Sequence, residues 1–183
     1  MMAVDIVFET HSTSEDNERG IATGWLPGAL SAAGRQQARA LGARRRGTGL
    51  NVIFTSDLRR AVETAELAFD GAGLPIRTDW RLRECNYGRH TGMPSAQLAA
   101  ERLARVDVPF PDGESYRQVV ERVRTFLDDL ARDCDAQQVL VIGHAATHFA
   151  LQHLLEGAAL EAVVEAPDAW QPGWNYQLAG ANG

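Results

Sequence analysis

The sequence has only two cysteines, no excess of positive charge and no apolar run long enough to span a bilayer. Cys85 and Cys134 lie far apart and form no Cys-x-x-Cys, so neither a disulfide framework nor a zinc site is indicated; two reduced thiols are the expectation. A formal charge of −6 and a pI near 5.3 lack the basic footprint of general nucleic-acid binding, so the arginines must be read locally. No stretch approaches the ~18 apolar residues of a spanning helix, and the N-terminal apolar stretch contains Asp5 and has no basic region before it. These absences predict a soluble, cytoplasmic protein with neither membrane nor nucleic acid as partner. Repeats and low-complexity linkers are also missing, and 183 residues with 45% hydrophobic content suffice for one core. A single domain over residues 1–183 is expected.

What is present is organised around Val4–Ile21. The run Val4, Ile6, Val7 and Phe8 reads as a strand buried on both faces, with His11 just past its carboxyl end and a polar loop, Ser12–Pro27, after it. In open α/β sheets ligands bind at that end of the strands. Gln138–His144 repeats the arrangement, with an apolar run, then His144, then a helical pattern. Between them, Val52–Phe54 and Pro75–Thr78 read as further strands, and Trp174–Leu178 as an edge strand. Helices are expected after an N-cap at Ser31, with Ala33, Ala38, Leu41 and Ala43 as the apolar stripe; after Thr55-Ser56-Asp57 as caps; over Ser95–Arg105; over Tyr116–Asp133; and over Ala146–Leu155. Strands alternating with helices predict a three-layer α/β/α sandwich with a mainly parallel sheet.

The arginines divide into two sets. Arg44, Arg45 and Arg46 end a helix, where cations favour the dipole, and capping is the expected role. Arg59 and Arg60 begin one, where they oppose it, and their presence suggests an anion to be held. Four elements then converge at one sheet edge: His11, the Arg59/Arg60 helix start, the Glu84 segment and His144. Two histidines, an arginine and a carboxyl group suit phosphoryl transfer through a phosphohistidine, chemistry that needs no metal or other cofactor. His144 and His148 have the spacing of two helical metal ligands, but no glutamate intervenes as in His-Glu-x-x-His, and no metal site is assigned. His90 reads as a loop residue or part of a substrate mouth, and His153 as structural. The aromatic tail, Trp170, Trp174 and Tyr176, reads as packing, with a pocket cover or a homodimer contact as alternatives.

At these residues the chain resembles the histidine phosphatase superfamily, the phosphoglycerate mutase-like proteins. The resemblance spans most of the chain and rests on ETHSTSEDN, ALSAAGRQQARALG, SDLRRAVETAE, LRECNYG, DGESYRQVVERV and VLVIGHAATH. It implies a phosphoglycerate mutase-like fold and a phosphatase of small phosphate esters, with a mutase or a non-hydrolysing anion binder as alternatives. It implies His11 as the phosphorylated nucleophile, Glu84 as the acid, His144 as a catalytic partner, and Arg60 and Asn17 as phosphate ligands. One departure is plain: the family's Arg-His-Gly is here Thr10-His11-Ser12. A hydroxyl cannot supply a guanidinium's charge, and its loss in a closed site costs roughly 2–4 kcal/mol of transition-state stabilisation. Thr10 and Ser12, together with Thr13 and Ser14, are hydrogen-bond donors there, with a self-satisfied polar loop as the other reading. Arg19, Arg59, Arg83 and Arg89 are the arginines proposed to compensate, with Arg19 and Arg59 preferred.

Overall fold

The computed structural model describes residues 3–166 and 170–180. Five strands, β1 (Val4–Thr10), β2 (Val52–Thr55), β3 (Ile76–Thr78), β4 (Gln138–Gly143) and β5 (Trp174–Leu178), form one sheet in the order β3-β2-β4-β1-β5. All neighbours are parallel except β5, which runs antiparallel to β1 along the edge.

Strand side chains alternate between two cores. Ile6, Phe8, Val139 and Val141 face a large cluster with α5 (Tyr116–Asp133), α6 (Ala145–Glu156) and α7 (Leu160–Glu165). Val7, Ile53, Leu140 and Ile142 face a smaller one with α2 (Ala32–Arg45) and α3 (Arg59–Phe69). Both faces are covered, the three-layer arrangement that near-continuous apolar strands require. The expected face of α5 is buried throughout, at Val119, Val120, Val123, Phe126, Leu127 and Leu130. No helix among the described residues is long and apolar enough to cross a membrane.

Several local expectations are corrected. Ala33 and Ala43 are exposed, and α2 buries Gly34, Ala38, Leu41 and Gly42 instead. The glycines are needed for close approach: a Cβ at Gly42 would lie 2.0 Å from the Ala68 carbonyl oxygen, and one at Gly34 would lie 1.9 Å from that of Thr13. Ser31 does cap α2, accepting from the Gly34 N–H. At α3 the expected caps serve other partners, because Thr55 ends β2, Ser56 bonds His144 and Asp57 pairs with Arg83. The polar loop after β1 contains a short helix, α1 (Glu15–Glu18), closed by a capping box between Ser14 and Asn17. The helix expected to reach Arg105 is shorter, α4 (Ser95–Glu101), and α7 was not anticipated.

Candidate active site

Register brings the two histidines together. β1 and β4 pair in parallel with Thr10 opposite Gly143, so the next residues, His11 and His144, leave the sheet side by side. The His11 N–H donates to the Gly143 carbonyl at 2.9 Å, and the ring centroids are 4.9 Å apart. This is the carboxyl edge of the parallel strands, where β2 also delivers Ser56 and the start of α3.

Arg60, in the first turn of α3, is 2% exposed and lies between the two rings. Its Nε donates to His11 Nε2 and its Nη2 to His144 Nδ1, each at 3.3 Å. Nη1 and Nη2 also donate to the carbonyls of Leu26 and Gly24, at 3.0 and 2.8 Å. Among the described residues no carboxylate is within ion-pair distance of this guanidinium, and desolvation lowers its pKa.

These bonds define both tautomers. The Ser12 carbonyl can only accept, so His11 Nδ1 carries the proton, at 2.7 Å, and the Nε2 lone pair faces Arg60. At His144 the lone pair is on Nδ1, so Nε2–H donates to Ser56 Oγ, 2.7 Å away. Burial and then the Arg60 charge lower the His11 pKa to about 3. Burial, Arg60 and His11 hold His144 well below its ordinary value too. Both rings are neutral at neutral pH.

Glu84 is buried, and its Oε1 accepts from the backbone N–H groups of Cys85, at 2.8 Å, and Ala146, at 3.2 Å. Both bonds fall on one carboxyl oxygen, and the residue lines the site's cavity. The segment is held from outside: the Glu84 carbonyl accepts from Trp25 Nε1 at 2.7 Å and from Arg122 Nη2 at 2.9 Å. The GWLPG segment therefore clamps both Arg60 and Glu84, a role its composition did not reveal.

His11, Glu84, His144, Arg60, Asn17 and Thr10 all line one cavity of about 400 Å³. Asn17 Oδ1 is taken by Ser14, which leaves its amide N–H groups as donors. Ser12 does not line this cavity; it is buried, and its N–H donates to Thr64 Oγ1 at 3.0 Å. Of the four arginines proposed to compensate for Thr10, none borders the cavity. Arg59 is exposed beside Trp25 and Pro27, because successive side chains of α3 are turned by about 100° and only that of Arg60 enters the site. Arg19 pairs with Asp16, Arg83 with Asp57 and Arg89 with Asp112. Arg102, which the sequence did not single out, is the second guanidinium lining the cavity, together with Thr23, Tyr87 and Ser95.

The remaining candidates lie elsewhere. Arg44 and Arg45 do more than complement the dipole: both bind the buried Glu9 carboxylate, each at 2.8 Å, while Arg46 donates to the Ala68 carbonyl. His148 is stacked on Phe8 and tilted against Trp174, His153 donates to the Ala158 carbonyl, and His90 lies 3.3 Å from Glu101, outside the cavity.

Two neutral imidazoles sharing one unpaired, buried guanidinium, beside a buried carboxyl group, agree with what the sequence motifs imply. A family model, the histidine phosphatase superfamily (branch 1), matches residues 6–167. The chain belongs to that superfamily. It is 35% identical to a Hydrogenobacter thermophilus protein provisionally named phosphoserine phosphatase 2, covering 82% of this chain and 78% of the other. It is 34% identical to a 2,3-bisphosphoglycerate-dependent phosphoglycerate mutase of a Methylobacterium species, covering 86% and 83%. Among solved structures, a mycobacterial glucosyl-3-phosphoglycerate phosphatase superposes with a TM-score of 0.76 at 27% identity, covering 88% of this chain and 84% of that one. The superfamily member is thus an enzyme of phosphatase or mutase-type phosphoryl transfer with the phosphoglycerate mutase-like fold.

Proposed function

We propose that this protein is a cytoplasmic, metal-independent phosphomonoesterase that hydrolyses a small phosphorylated metabolite through a phosphohistidine at His11. The observation that carries the reading is Arg60, a buried cation whose neighbours are two neutral imidazoles and two carbonyls, with an anion as the missing partner. The His11 Nε2 lone pair attacks phosphorus as the bond to the alcohol oxygen breaks, and that oxygen takes a proton from the Glu84 carboxyl group. Water then attacks the phosphohistidine, giving its proton to the Glu84 carboxylate and releasing inorganic phosphate. Arg60, His144 and the Asn17 amide hold the phosphoryl oxygens, and Ser56 fixes the His144 ring. Buried, unpaired Cys85 and Cys134 suit a reducing compartment.

The relatives' names range over phosphoserine, glucosyl-3-phosphoglycerate and phosphoglycerate, so they support a reaction class and leave the substrate open. Thr10 favours a second reading, a protein that binds phosphate esters without turning them over, because one guanidinium is absent next to the nucleophile. Steady-state hydrolysis of an aryl phosphate and a panel of sugar and glycerate phosphates in EDTA separates the two. The expected result is turnover that EDTA leaves intact and His11→Ala abolishes. Ester binding without turnover by well-folded protein would establish the second reading instead.

A further inference from the structure

Three clefts meet at Thr10. One is the catalytic cavity. A second, of about 350 Å³, shares Thr10 and Ala145 with it and is walled by Phe149, Trp170 and Trp174, with Gln152 at its polar edge. A third shares Thr10 and Trp170 with the second and runs past His11 towards Arg44. The first two clefts are neighbours, with the short side chains of Thr10 and Ala145 between them.

Glu84 decides which way the leaving group goes. Its carboxyl group bonds the Ala146 N–H, and the second cleft opens at the adjacent Ala145. Glu84 lines the catalytic cavity, and Ala145, which borders both that cavity and the second cleft, precedes the residue whose N–H Glu84 binds, so the second cleft is the neighbouring space open to an alcohol leaving from Glu84. Among the described residues lining it none is charged: His148 is kept neutral by burial, with a pKa of about 4, and the rest are aliphatic, aromatic, amide or hydroxyl groups. An anionic leaving group would be desolvated there without a cation, whereas a flat ring finds three aromatic walls and the amide of Gln152.

We propose that the cleft between Thr10, Phe149, Trp170 and Trp174 receives the leaving alcohol, and that this alcohol is uncharged and carries a planar aromatic or heteroaromatic ring. The inference rests on the phosphatase reading of His11 and Glu84. Its test compares two esters of primary alcohols, 2-naphthylmethyl phosphate and phosphoserine, in wild type, Trp170→Ala and Gln152→Arg. Trp170 is 70% exposed, so its truncation spares the core.

Wild type is expected to favour the naphthyl ester in kcat/KM by about tenfold or more, and Trp170→Ala to reduce that ratio about tenfold. Gln152→Arg, which brings a cation to the cleft, should shift the ratio towards phosphoserine. A wild-type preference for phosphoserine, or a ratio that Trp170→Ala does not change, overturns the inference while leaving the phosphatase reading intact. If neither ester turns over, the phosphatase reading fails, and calorimetric titration with naphthylmethylphosphonate still decides the cleft: weaker binding to Trp170→Ala upholds it as the site of the organic group, and equal binding overturns it.

Discussion

Arg60 and Arg122 are both buried guanidiniums, one between the two histidines and the other against the Glu84 segment, yet they are built for different ends. Arg122 forks onto the Glu114 carboxylate, with Nε at 3.0 Å and Nη2 at 3.1 Å, and uses its other N–H groups on the carbonyls of Arg81 and Glu84. Its charge is cancelled inside the fold. Arg60 has carbonyls and neutral imidazoles but no carboxylate at ion-pair distance among the described residues. A buried cation in direct contact with a carboxylate is a structural member, and one whose nearest acid, Glu84, acts only from a distance is ready for an anion.

Breaking each member in turn separates these roles. Arg60→Met is expected to lower kcat/KM on phosphate esters by about 10²–10³ and to abolish vanadate binding, with a smaller loss of unfolding free energy than Arg122→Met, since removal of a desolvated cation offsets the lost bonds to the Gly24 and Leu26 carbonyls. A large stability loss with intact vanadate binding would reverse the assignment. Arg122→Met should instead cost about 3 kcal/mol in chemical denaturation by stranding the Glu114 carboxylate, and adding Glu114→Leu should recover much of it. Glu84→Gln sharpens the picture on the acid side. It should retain vanadate binding while slowing alkyl phosphates by about 10², with aryl phosphates, whose leaving groups need no proton, affected far less.

Smaller effects follow at the imidazoles. Ser56→Ala frees the His144 ring and should cost about tenfold in kcat with little change in KM, read in the same steady-state assay. The pH dependence of stability has a definite sign. His11 has a folded pKa of about 3 against an ordinary 6.5, so the unfolded chain binds the proton first as pH falls. Stability is full above about pH 6.5 and declines towards pH 3, and His11→Gln should make that decline shallower in thermal melts.

Some of this was legible in the residues. The apolar runs before His11 and His144 are period-independent patterns of strands buried on both faces, and the α5 stripe repeats at helical spacing, so their places in the fold follow from local chemistry. Arg60 at a helix start was legible for the same reason, because a cation there works against the dipole. Arg59, one residue before it, carries the same local signal and yet faces solvent, since the rotation of α3 against the sheet admits only one of the two.

Compensation by Arg19, Arg83 or Arg89 rests on nearness to the motifs in sequence, and each has an acidic partner elsewhere. Arg102 reaches the cavity through the path of the chain after α4, which no local pattern encodes. Ser56 looked like a cap and became the partner of His144 for a related reason: side-chain hydrogen bonds between distant segments depend on register and packing, whereas strands, helices and their apolar faces depend on neighbours in sequence. The layered α/β architecture, the two strand-end histidines and the reaction class their motifs imply are all written in the order of residues along the chain. The tautomers, the arginine with no carboxylate in direct contact among the described residues and the clefts that meet at Thr10 come from the tertiary structure, because each depends on burial and on contacts between segments far apart in the chain.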